Sequence, residues 1–406
     1  MPKLLQISIE VNIGSVGRIA EQIGQVAMKY GWESYITYAR DNLASSSQVI
    51  KIGTLFDVYV HGIKTRITDK HAFYSNNATK KLIEKIEKIK PDLIHLHHLH
   101  GYFINVNILF DYLKISDIPL VWTFHDCWSF TGHCSYFEFI GCNKWKNECN
   151  NCPQKKKYPA SFLIDRSKKN YFQKKEIFNS VKKMIIVPVS YWLEKLVSES
   201  FFKKYPIRVI QNGIDVNDFT PSYKDFTDVK TKYKISSNFI ILGVAGIWEK
   251  RKGLDEFIKL NNLLPYEYCI VLVGLNKKQI KKLPKGIIGI QRTENLNELA
   301  KLYSLADVFV NPTLEDTFPT TNLESLACGT PIVTYRTGGS VESVSEDTGF
   351  VVDKCDVKSL LNSINIIKRN GKDYYSDACR KRAVNLYDRE NKFQEYINLY
   401  NHLLDT

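Results

Sequence analysis

The 406-residue sequence predicts an α/β fold built from two doubly wound parallel sheets, each in its own domain. Strand-like and helix-like runs alternate along both halves of the chain. The pattern restarts after a turn signal at Asn212-Gly213 and a breaker at Pro221, and the chain is long for a single hydrophobic core. In such a fold, ligands bind in the crevice at the carboxyl ends of the strands.

The first half begins with the strand KLLQISIE and a glycine-containing turn that leads into a helix ending near Lys29. We expect further strands at SYITYAR, PDLIHLH, IPLVWTFHD and KMIIVPVS, and helices at NATKKLIEKIEKIK and YWLEKLVSES. Asn77 is the expected N-cap of the first of these two helices. Strands that alternate with helices predict parallel pairing, with both faces of the sheet covered.

The second half repeats this plan after a polar, charged segment at 222–237, which predicts a linker with one short helix. Further strands are expected at NFIILGVAG, CIVLVGL, GIIGIQ, DVFVNPT, TPIVTY and GFVVD. The tail DRENKFQEYINLYNHLLD carries apolar residues at three- and four-residue spacing, which predicts a final helix.

The composition is that of a globular protein, with 44% apolar and 24% charged residues. No run of eighteen apolar residues occurs, and the N-terminus reads as a strand rather than a signal peptide, so we expect a cytoplasmic protein. The formal charge is +13, and residues 142–210 hold 16 Lys/Arg against 5 Asp/Glu. Such a block is either a solvated face or a surface that attracts polyanions. No nucleic-acid-binding motif accompanies it, so nucleic acid is only a minor alternative.

Residues 311–335, NPTLEDTFPTTNLESLACGTPIVTY, hold two carboxylates around the start of a short helix. Thr321 and Glu324 have the spacing of a capping box, and Gly329 would end the helix. Alternatively, the amides at the start of the helix bind a diphosphate, while a carboxylate accepts the two hydroxyls of a ribose. The capping box does not account for Asp316, so both interpretations remain open at this point.

This segment, with LYSLADVFV before it and TGFVV after it, resembles the donor-binding segment of glycosyltransferase family 4. The resemblance covers nearly the full chain. It implies a GT-B fold, in which two Rossmann-like domains face a cleft, and a retaining enzyme that uses a nucleotide-activated sugar. It also implies an acceptor-binding domain at 1–215, a nucleotide-sugar-binding domain at 216–387, and a helix at 388–406 that crosses back to the first domain.

The resemblance implies roles for the polar residues of this segment. The family's acidic pair is Glu-x7-Glu, whereas this chain has Asp316-x7-Glu324 with Glu315 adjacent. Either Glu315 or Asp316 therefore reaches the sugar, Asp316 as the candidate catalytic residue, and Glu324 holds the ribose. The start of the helix supplies further expected donor contacts, at Thr320, Thr321 and Asn322.

A basic cluster follows a strand in GVAGIWEKRKGLDEF. Taken alone, it is either an exposed basic turn or a group of cations that neutralises a leaving diphosphate. The family pattern here is Gly-Arg-x4-Lys-Gly. Gly246 and Lys252 match it, with Lys252 as a candidate catalytic residue. Ile247 replaces the arginine, so that role falls to Lys250 or Arg251.

The resemblance also includes the glycine-rich loop NIGSVGRIA, which in the family closes over the donor phosphates. Gly14 and Gly17 would let the backbone approach closely, and Arg18 is an expected phosphate contact.

Histidines follow two strands, in HLHHLH and in TFHD. His95 and His97 alternate along one strand, a pattern that favours a polar core over a catalytic metal. His125, followed by Asp126, is the better active-site candidate, and the resemblance places such a histidine beside the donor sugar. These phrases, together with HLHGYF, resemble a bacterial subgroup that builds exopolysaccharide, capsule and O-antigen repeats.

Four of the nine cysteines are clustered in the sequence, at Cys134, Cys142, Cys149 and Cys152. A reducing compartment disfavours disulfides, and the last two have the C-x2-C spacing of zinc ligands. The cluster predicts either a structural zinc site in the loop after His125 or free buried thiols.

The sequence therefore predicts a hexosyltransferase that uses a nucleoside-diphosphate sugar and a saccharide acceptor linked to polyprenyl diphosphate. We expect it to be peripheral on the inner face of the plasma membrane, and to need no cofactor for catalysis because the leaving phosphate takes the acceptor proton. The alternatives are a nucleotide-sugar epimerase or hydrolase of the same fold, a non-catalytic sugar-nucleotide sensor, and a zinc-linked nucleic-acid-binding protein. An epimerase would convert the donor without an acceptor, and a nucleic-acid binder would bind oligonucleotides.

Overall fold

The computed structural model of the protein describes residues 1–222, 226–237 and 239–405. The chain divides into two compact units. Unit 1 combines Met1–Gln211 with the C-terminal segment from Phe393, and unit 2 is Asn212–Lys392. Part of the expected linker, at 223–225, and the first residue of the strand expected at NFIILGVAG, Asn238, lie outside the described residues.

Unit 1 contains a six-stranded sheet in which all strands are parallel, in the order β3-β2-β1-β4-β5-β6. The strand order reverses between β1 and β4, as in doubly wound sheets, and both of these strands are buried because helices cover both faces. The strands are β1 (Lys3–Ile7), β2 (Glu33–Tyr38), β3 (Gln48–Lys51), β4 (Leu93–Leu96), β5 (Leu120–Phe124) and β6 (Met184–Pro188).

The helices of unit 1 are α1 (Gly14–Lys29), α2 (Leu55–Thr68), α3 (Asn76–Ile89), α4 (Val106–Ile115), α5 (Ser167–Phe178) and α6 (Tyr191–Glu199). The N-cap of α3 is Ser75 and not Asn77, so that prediction was wrong. Ser75 has a left-handed backbone (φ 65°), and its carbonyl accepts the N–H of Thr79 at 3.0 Å, which places Asn77 inside the first turn. The sequence had not indicated β3, α2, α4 or α5.

Unit 2 contains a second six-stranded parallel sheet, in the order β12-β11-β10-β7-β8-β9. The strands are β7 (Phe239–Val244), β8 (Tyr268–Val273), β9 (Ile287–Ile290), β10 (Val308–Asn311), β11 (Ile332–Tyr335) and β12 (Gly349–Val352). Each lies where the sequence indicated a strand. β7 ends at Val244, two residues before Gly246, so Gly246 belongs to the loop.

The helices of unit 2 are α7 (Thr227–Tyr233), α8 (Leu254–Asn261), α9 (Lys277–Ile280), α10 (Leu296–Leu305), α11 (Thr320–Ala327), α12 (Val357–Asn370) and α13 (Asp373–Tyr387). The final helix, α14 (Arg389–Leu404), begins in unit 2 and ends in unit 1. Within the described part of the chain, no helix combines the length and apolarity needed to cross a membrane.

The C-terminal part of α14 completes the core of unit 1. Tyr400 packs edge-on against Trp32, with ring centroids 5.6 Å apart. Its hydroxyl lies 2.7 Å from Nδ1 of His95 on β4, and the Tyr396 hydroxyl lies 2.9 Å from the Thr123 hydroxyl on β5. The cluster around these tyrosines includes Leu4, Ile19, Ile23, Leu93, Val121, Phe393, Ile397 and Leu399. The last helix is therefore part of the hydrophobic core of unit 1.

We expect Tyr400→Ala to lower the free energy of unfolding of unit 1 by about 3–5 kcal/mol, because it opens a cavity and removes the hydroxyl that contacts Nδ1 of His95. Chemical denaturation of the full chain, followed by tryptophan fluorescence, measures this loss. Asn401→Ala, at the exposed neighbouring position, is the matched control and should leave the unfolding curve unchanged. Equal curves for both variants would contradict the core role of Tyr400.

Candidate active site

The loop between β1 and α1 keeps its backbone close to Glu10. Gly14 has a left-handed backbone (φ 63°), and a Cβ on Gly17 would lie 3.1 Å from the carbonyl oxygen of Glu10. Burial raises the pKa of Glu10, although Arg40 opposes this shift. The two glycines are thus required for the close turn, and Arg18 is exposed at the start of α1. The sequence had not singled out Glu10.

A buried hydrogen-bonded row connects β1, β4 and the end of β5. Nε2 of His97 lies 3.0 Å from Oε1 of Gln6, and Nδ1 of His97 lies 3.1 Å from Nε2 of His125. The Gln6 amide nitrogen donates to Ala20 O at 2.8 Å, which orients its oxygen toward His97. Because that oxygen can only accept, His97 carries its proton on Nε2 and accepts on Nδ1 from the Nε2–H of His125. His125 therefore keeps Nδ1 as its acceptor nitrogen.

Burial keeps these histidines neutral. It lowers the pKa of His97 and of His125 well below the usual value, and neighbouring histidines lower both further. Burial likewise lowers the pKa of His95, whose Nε2 lies 2.7 Å from the Thr123 hydroxyl. A neutral imidazole can accept a hydrogen bond from a sugar hydroxyl, which an imidazolium cannot.

Asp126 is the charged group of this region. Burial alone would raise its pKa, but His100 and His98 and a hydrogen bond from the Trp128 amide bring it below the usual value. Its Oδ2 lies 2.7 Å from His100 Nε2 and 3.6 Å from His98 Nε2. Among the described residues, His98, His100 and Asp126 form the group of possible metal ligands whose donor atoms lie within 4.8 Å of one another.

The cysteine cluster lines a small cavity of about 20 Å³ next to His133. Cys134 and Cys152 are hydrogen-bonded through their thiols, and the Gly132 amide donates to Sγ of Cys149 at 3.2 Å. The four cysteines, which are all within the described residues, are not among the groups of side chains placed to hold a metal ion. The four thiols therefore line one cavity without being drawn together around a centre.

Lys174 on α5 holds the loop that follows His125. Its ammonium donates to the carbonyls of Trp128 at 2.8 Å and Thr131 at 3.1 Å, and lies 3.4 Å from the centre of the Trp128 ring. Burial lowers the pKa of Lys174 to about 7. A buried pair, His133 and Asp69 at 2.5 Å, fixes the next turn of the loop. Neither contact could be deduced from the sequence, because each partner lies far along the chain.

In unit 2, Lys252 forms an ion pair with Asp316. The backbone holds both sides of this pair, because the amide of Leu314 donates to Arg251 O at 2.7 Å and the amide of Gly339 donates to Asp316 O at 3.2 Å. Asp316 is buried, whereas the Lys252 side chain is 23% exposed and can therefore meet a ligand. The structure brings together two residues that the sequence had assigned to catalysis.

Two glycines allow this approach. Gly253 has a left-handed backbone (φ 79°), and a Cβ there would lie 2.2 Å from the carbonyl oxygen of Pro312. A Cβ on Gly338 would lie 1.7 Å from the carbonyl oxygen of Asp316. Any side chain at either position would force the 312–316 segment away from the basic turn. The Lys252–Asp316 geometry therefore depends on both glycines.

Glu324 is buried within α11, and its carboxylate accepts a hydrogen bond from the Tyr303 hydroxyl at 2.9 Å. The capping-box interpretation of Thr321 and Glu324 is wrong, because the N-cap of α11 is Pro319, which makes no side-chain capping bond, and Thr321 lies inside the helix. Tyr303, on the preceding helix, was not identified from the sequence. It orients the carboxylate that the family resemblance assigns to the ribose.

Asn322 differs from the expected donor contact. It is fully buried, and its amide nitrogen donates to the hydroxyls of Ser340 at 3.2 Å and Ser343 at 2.9 Å. Its oxygen accepts from Asn311 at 2.8 Å. The side chain of Asn322 therefore fixes the position of α11 from inside unit 2.

The remaining predicted donor residues lie around the basic turn and the start of α11. Arg251 donates to the carbonyl of Glu315 at 3.3 Å, whereas Lys250 is exposed. Glu315 is buried, with 2% of its surface exposed. Thr320 and Thr321 are half-buried. Gly246 is exposed, with no atom within 4 Å of a Cβ built on it.

The protein matches the family model described as Glycosyltransferase Family 4 over residues 16–218, which is half of its length, and the model described as Glycosyl transferases group 1 over residues 225–384. The chain therefore belongs to glycosyltransferase family 4 and is a glycosyltransferase.

It is 23% identical to a protein of Escherichia coli (strain K12) named as a putative colanic acid biosynthesis glycosyl transferase, over 98% of this chain and 100% of that relative. It is 25% identical to an Escherichia coli UDP-Gal:alpha-D-GlcNAc-diphosphoundecaprenol alpha-1,3-galactosyltransferase, over 51% of this chain and 57% of that relative.

Solved structures share the fold of the whole chain. Sucrose-phosphate synthase from Thermosynechococcus elongatus has a TM-score of 0.76 at 18% identity, with 100% of both chains covered. HepE of Anabaena, in complex with UDP, has a TM-score of 0.70 at 15% identity, covering 99% of this chain and 100% of that chain. At such identities the likeness concerns the fold alone, and it confirms the predicted GT-B class.

We expect the stability of unit 1 to fall as the pH drops below about 6.5, because its buried histidines bind protons only when it unfolds. The pKa of each of these buried histidines is lower in the folded state than in the unfolded state. Each one therefore leaves the folding free energy unaffected above pH 6.5. As the pH falls from 6.5 to the folded pKa, which is about 3 for His61 and His98, each one destabilises the folded state increasingly. Each group contributes a slope of roughly 1.4 kcal/mol per pH unit in that window. The lowered pKa values belong to His61, His71, His95, His97, His98 and His125.

Limited proteolysis at pH 5 and pH 7, with the cleavage sites identified by mass spectrometry, locates the loss. All nine histidines lie outside residues 212–392, so unit 2 is an internal control and should keep its protection. Asp69 raises the pKa of His133 against the effect of burial, so protonation of His133 stabilises the folded state at low pH. This single group does not offset the six histidines whose pKa values are lowered. Equal protection of unit 1 at both pH values would contradict the expectation.

Proposed function

We propose that this glycosyltransferase transfers a hexose, with retention of anomeric configuration, from a nucleoside-diphosphate sugar to a lipid-linked saccharide in cell-surface polysaccharide biosynthesis. The contact that carries the proposal is the Lys252–Asp316 pair, which fixes a partly exposed ammonium beside Asp316, four residues before α11 begins. Two relatives support the acceptor class, since their names specify sugars on diphosphoundecaprenol. Structures of HepE with UDP and with UDP-glucose support the donor class.

We assign donor binding to unit 2. The N-cap of α11 is a proline, whose side chain cannot accept a hydrogen bond from the first amides, so the positive end of the helix dipole can attract a diphosphate together with Lys252 and Arg251. Lys250 is a further cation on the same turn. Glu324, oriented by Tyr303, would accept the ribose hydroxyls. Between the adjacent acids, we favour Asp316 for the sugar because its carboxylate contacts Lys252.

We assign the acceptor to unit 1. The neutral imidazole of His125 in that unit can accept a hydrogen bond from a hydroxyl of the donor sugar, which is the role that the family resemblance implies for it. In the reaction, the acceptor oxygen attacks the anomeric carbon from the side of the leaving group. The bond between that carbon and the phosphate oxygen breaks, and the leaving phosphate takes the acceptor proton. Negative charge grows on the diphosphate as the bond breaks, and Lys252 stabilises it most at that stage. The scheme needs no nucleophilic side chain.

We expect Lys252→Met to lower kcat by about 100- to 1,000-fold, because it removes a cation that stabilises the departing diphosphate. The measurement is transfer of a radiolabelled sugar to a short-chain polyprenyl-diphosphate saccharide, with the donor first chosen by thermal stabilisation against UDP- and GDP-sugars. Lys259→Met, which removes an exposed lysine from α8, should retain full activity.

Lys252→Met leaves the carboxylate of Asp316 without its ion-pair partner, which could destabilise unit 2. The double variant Lys252→Met/Asp316→Asn removes that unpaired charge, so it tests whether a loss of stability explains the fall in kcat. It should fold with a normal melting temperature and remain inactive. Wild-type turnover by either variant would refute the proposed role of Lys252. Turnover of the donor by the wild type without any acceptor would instead favour an epimerase or hydrolase.

We also propose that the cysteine cluster binds a structural zinc ion. The donor set suits zinc in type and number, since four thiols line one small cavity. The hydrogen bond from the Cys134 thiol lowers the pKa of Cys152, which favours the thiolate that binds metal. Binding would draw the sulfurs together and pin the loop that follows His125.

Elemental analysis of protein purified without chelators should then find one zinc ion per chain. We expect the double variant Cys149→Ser/Cys152→Ser to lose the metal, because thiolates bind zinc far better than hydroxyls. Cys355→Ser, which alters an exposed cysteine of unit 2, should retain it. Wild-type protein that lacks zinc and has four reactive thiols in this loop would exclude the site.

A further inference from the structure

One side of α2 exposes apolar side chains to solvent. Five residues of the helix carry these exposed apolar side chains. With about 100° of rotation per residue, they fall within an arc of about 120° around the helix axis. The opposite side of the helix is buried at His61 and Thr65. An amphipathic helix normally packs its apolar side on the core, so an outward apolar stripe requires another partner. The five residues are Leu55, Phe56, Tyr59, Ile63 and Ile67, of which Phe56 is 73% exposed.

A second apolar segment continues this stripe. The amide of Phe162 donates to Arg66 O at 2.8 Å, and the amide of Ile164 donates to Ile67 O at 3.3 Å. These bonds hold the 162–164 segment beside the end of α2, with Leu163 70% exposed. We call the combined surface the apolar face; it comprises Leu55, Phe56, Tyr59, Ile63, Ile67, Phe162, Leu163 and Ile164.

The apolar face is bordered by cations. The two stretches that form it, 55–68 and 155–164, hold five Lys/Arg and one acid, Asp57, whose carboxylate is hydrogen-bonded to Thr54 at the start of α2. Apolar side chains fringed by Lys and Arg are typical of surfaces that lie in the interface of an anionic bilayer. The basic residues of these stretches are Lys64, Arg66, Lys155, Lys156 and Lys157.

A groove of about 520 Å³ adjoins the apolar face. Three of its lining residues, Leu55, Tyr59 and Ile63, belong to the apolar face itself. At its other side, the guanidinium groups of Arg40 and Arg66 lie 5.9 and 5.7 Å from the centre of the Tyr102 ring. Asp41 also lines the groove, so two cations face one acid there. The groove thus joins an apolar edge to a region of net positive charge, as an acyl or isoprenoid chain with a phosphate would require.

Two tyrosines connect this groove to His100 and Asp126. The ring of Tyr158 lies 6.0 Å from that of Tyr102, and its hydroxyl lies 3.0 Å from Nδ1 of His100. His100 in turn contacts Asp126. A molecule held at the apolar face would therefore be close to the part of unit 1 that we assign to the acceptor.

We propose that the apolar face docks on the surface of an anionic phospholipid bilayer. Phe56, Phe162 and Leu163 would enter the acyl boundary, while the surrounding cations contact head-group phosphates. This inference rests on the proposed function, because a lipid-linked acceptor is presented at such a surface. A second copy of the chain suits the face less well, since a two-fold contact would bring the same cations of both copies together.

Co-sedimentation with vesicles, without donor or acceptor, tests the inference. Wild-type protein should bind vesicles of phosphatidylcholine with 30% phosphatidylglycerol, and bind pure phosphatidylcholine more weakly. Phe56→Glu/Phe162→Glu should reduce binding at least about tenfold, because both charges would have to enter the apolar layer. Ile115→Glu is the matched control, since Ile115 is a highly exposed apolar residue of unit 1 outside the face. High salt should weaken binding by wild type only in part, because screening leaves the apolar term intact.

The inference is overturned if wild-type protein does not bind anionic vesicles, or if Phe56→Glu/Phe162→Glu binds them as wild type does. It is also overturned if the double variant only converts a dimer to a monomer in sedimentation velocity, which would assign the face to a second copy. Equal melting temperatures of the variants exclude misfolding as the cause. Transfer to a water-soluble acceptor in the absence of vesicles tests the proposed function separately, so the two can fail independently.

Discussion

The ion pair between Lys252 and Asp316 determines where unit 2 presents a fixed cation. The two residues lie 64 positions apart in the sequence, and hydrogen bonds from the backbone hold both of their segments. A lysine on a mobile turn would lose side-chain entropy on meeting a phosphate, whereas this ammonium is already positioned. The proposed donor would therefore bind a preorganised charge, and the glycines at 253 and 338 are what allow the two segments to meet.

Unit 1 is organised by the opposite requirement, which is to keep imidazoles uncharged. With both rings neutral, the hydrogen-bonded row from Gln6 through His97 to His125 has one consistent assignment of protons. Burial favours that state. Next to the row, the ring of His95 lies 4.1 Å from that of His97 and is hydrogen-bonded to Tyr400 of the last helix. Charge is instead concentrated on Asp126, which His100 contacts. The candidate site in unit 2 therefore depends on a charged ion pair, whereas that in unit 1 depends on neutral imidazoles.

The strands and the candidate site could largely be predicted from the sequence, because buried parallel strands are continuous apolar runs and the motifs follow them directly. What could not be predicted depends on contacts between distant residues. The Tyr303–Glu324 bond, which replaces the predicted capping box, joins two helices, and Lys174 reaches the loop after His125 from 46 residues away. The apolar stripe of α2 was missed for a different reason. Its spacing does not tell whether the apolar side faces the core or the solvent.

The discontinuous make-up of unit 1 has a consequence for its synthesis. Its sheet is complete once residue 211 has been made, yet the segment from Phe393 that fills its core follows only after the 181 residues of unit 2, from 212 to 392. At about 5–20 residues per second, a ribosome needs roughly 10–40 s for that interval. The first half of the nascent chain must therefore wait with part of its interior uncovered, while the second half can mature first.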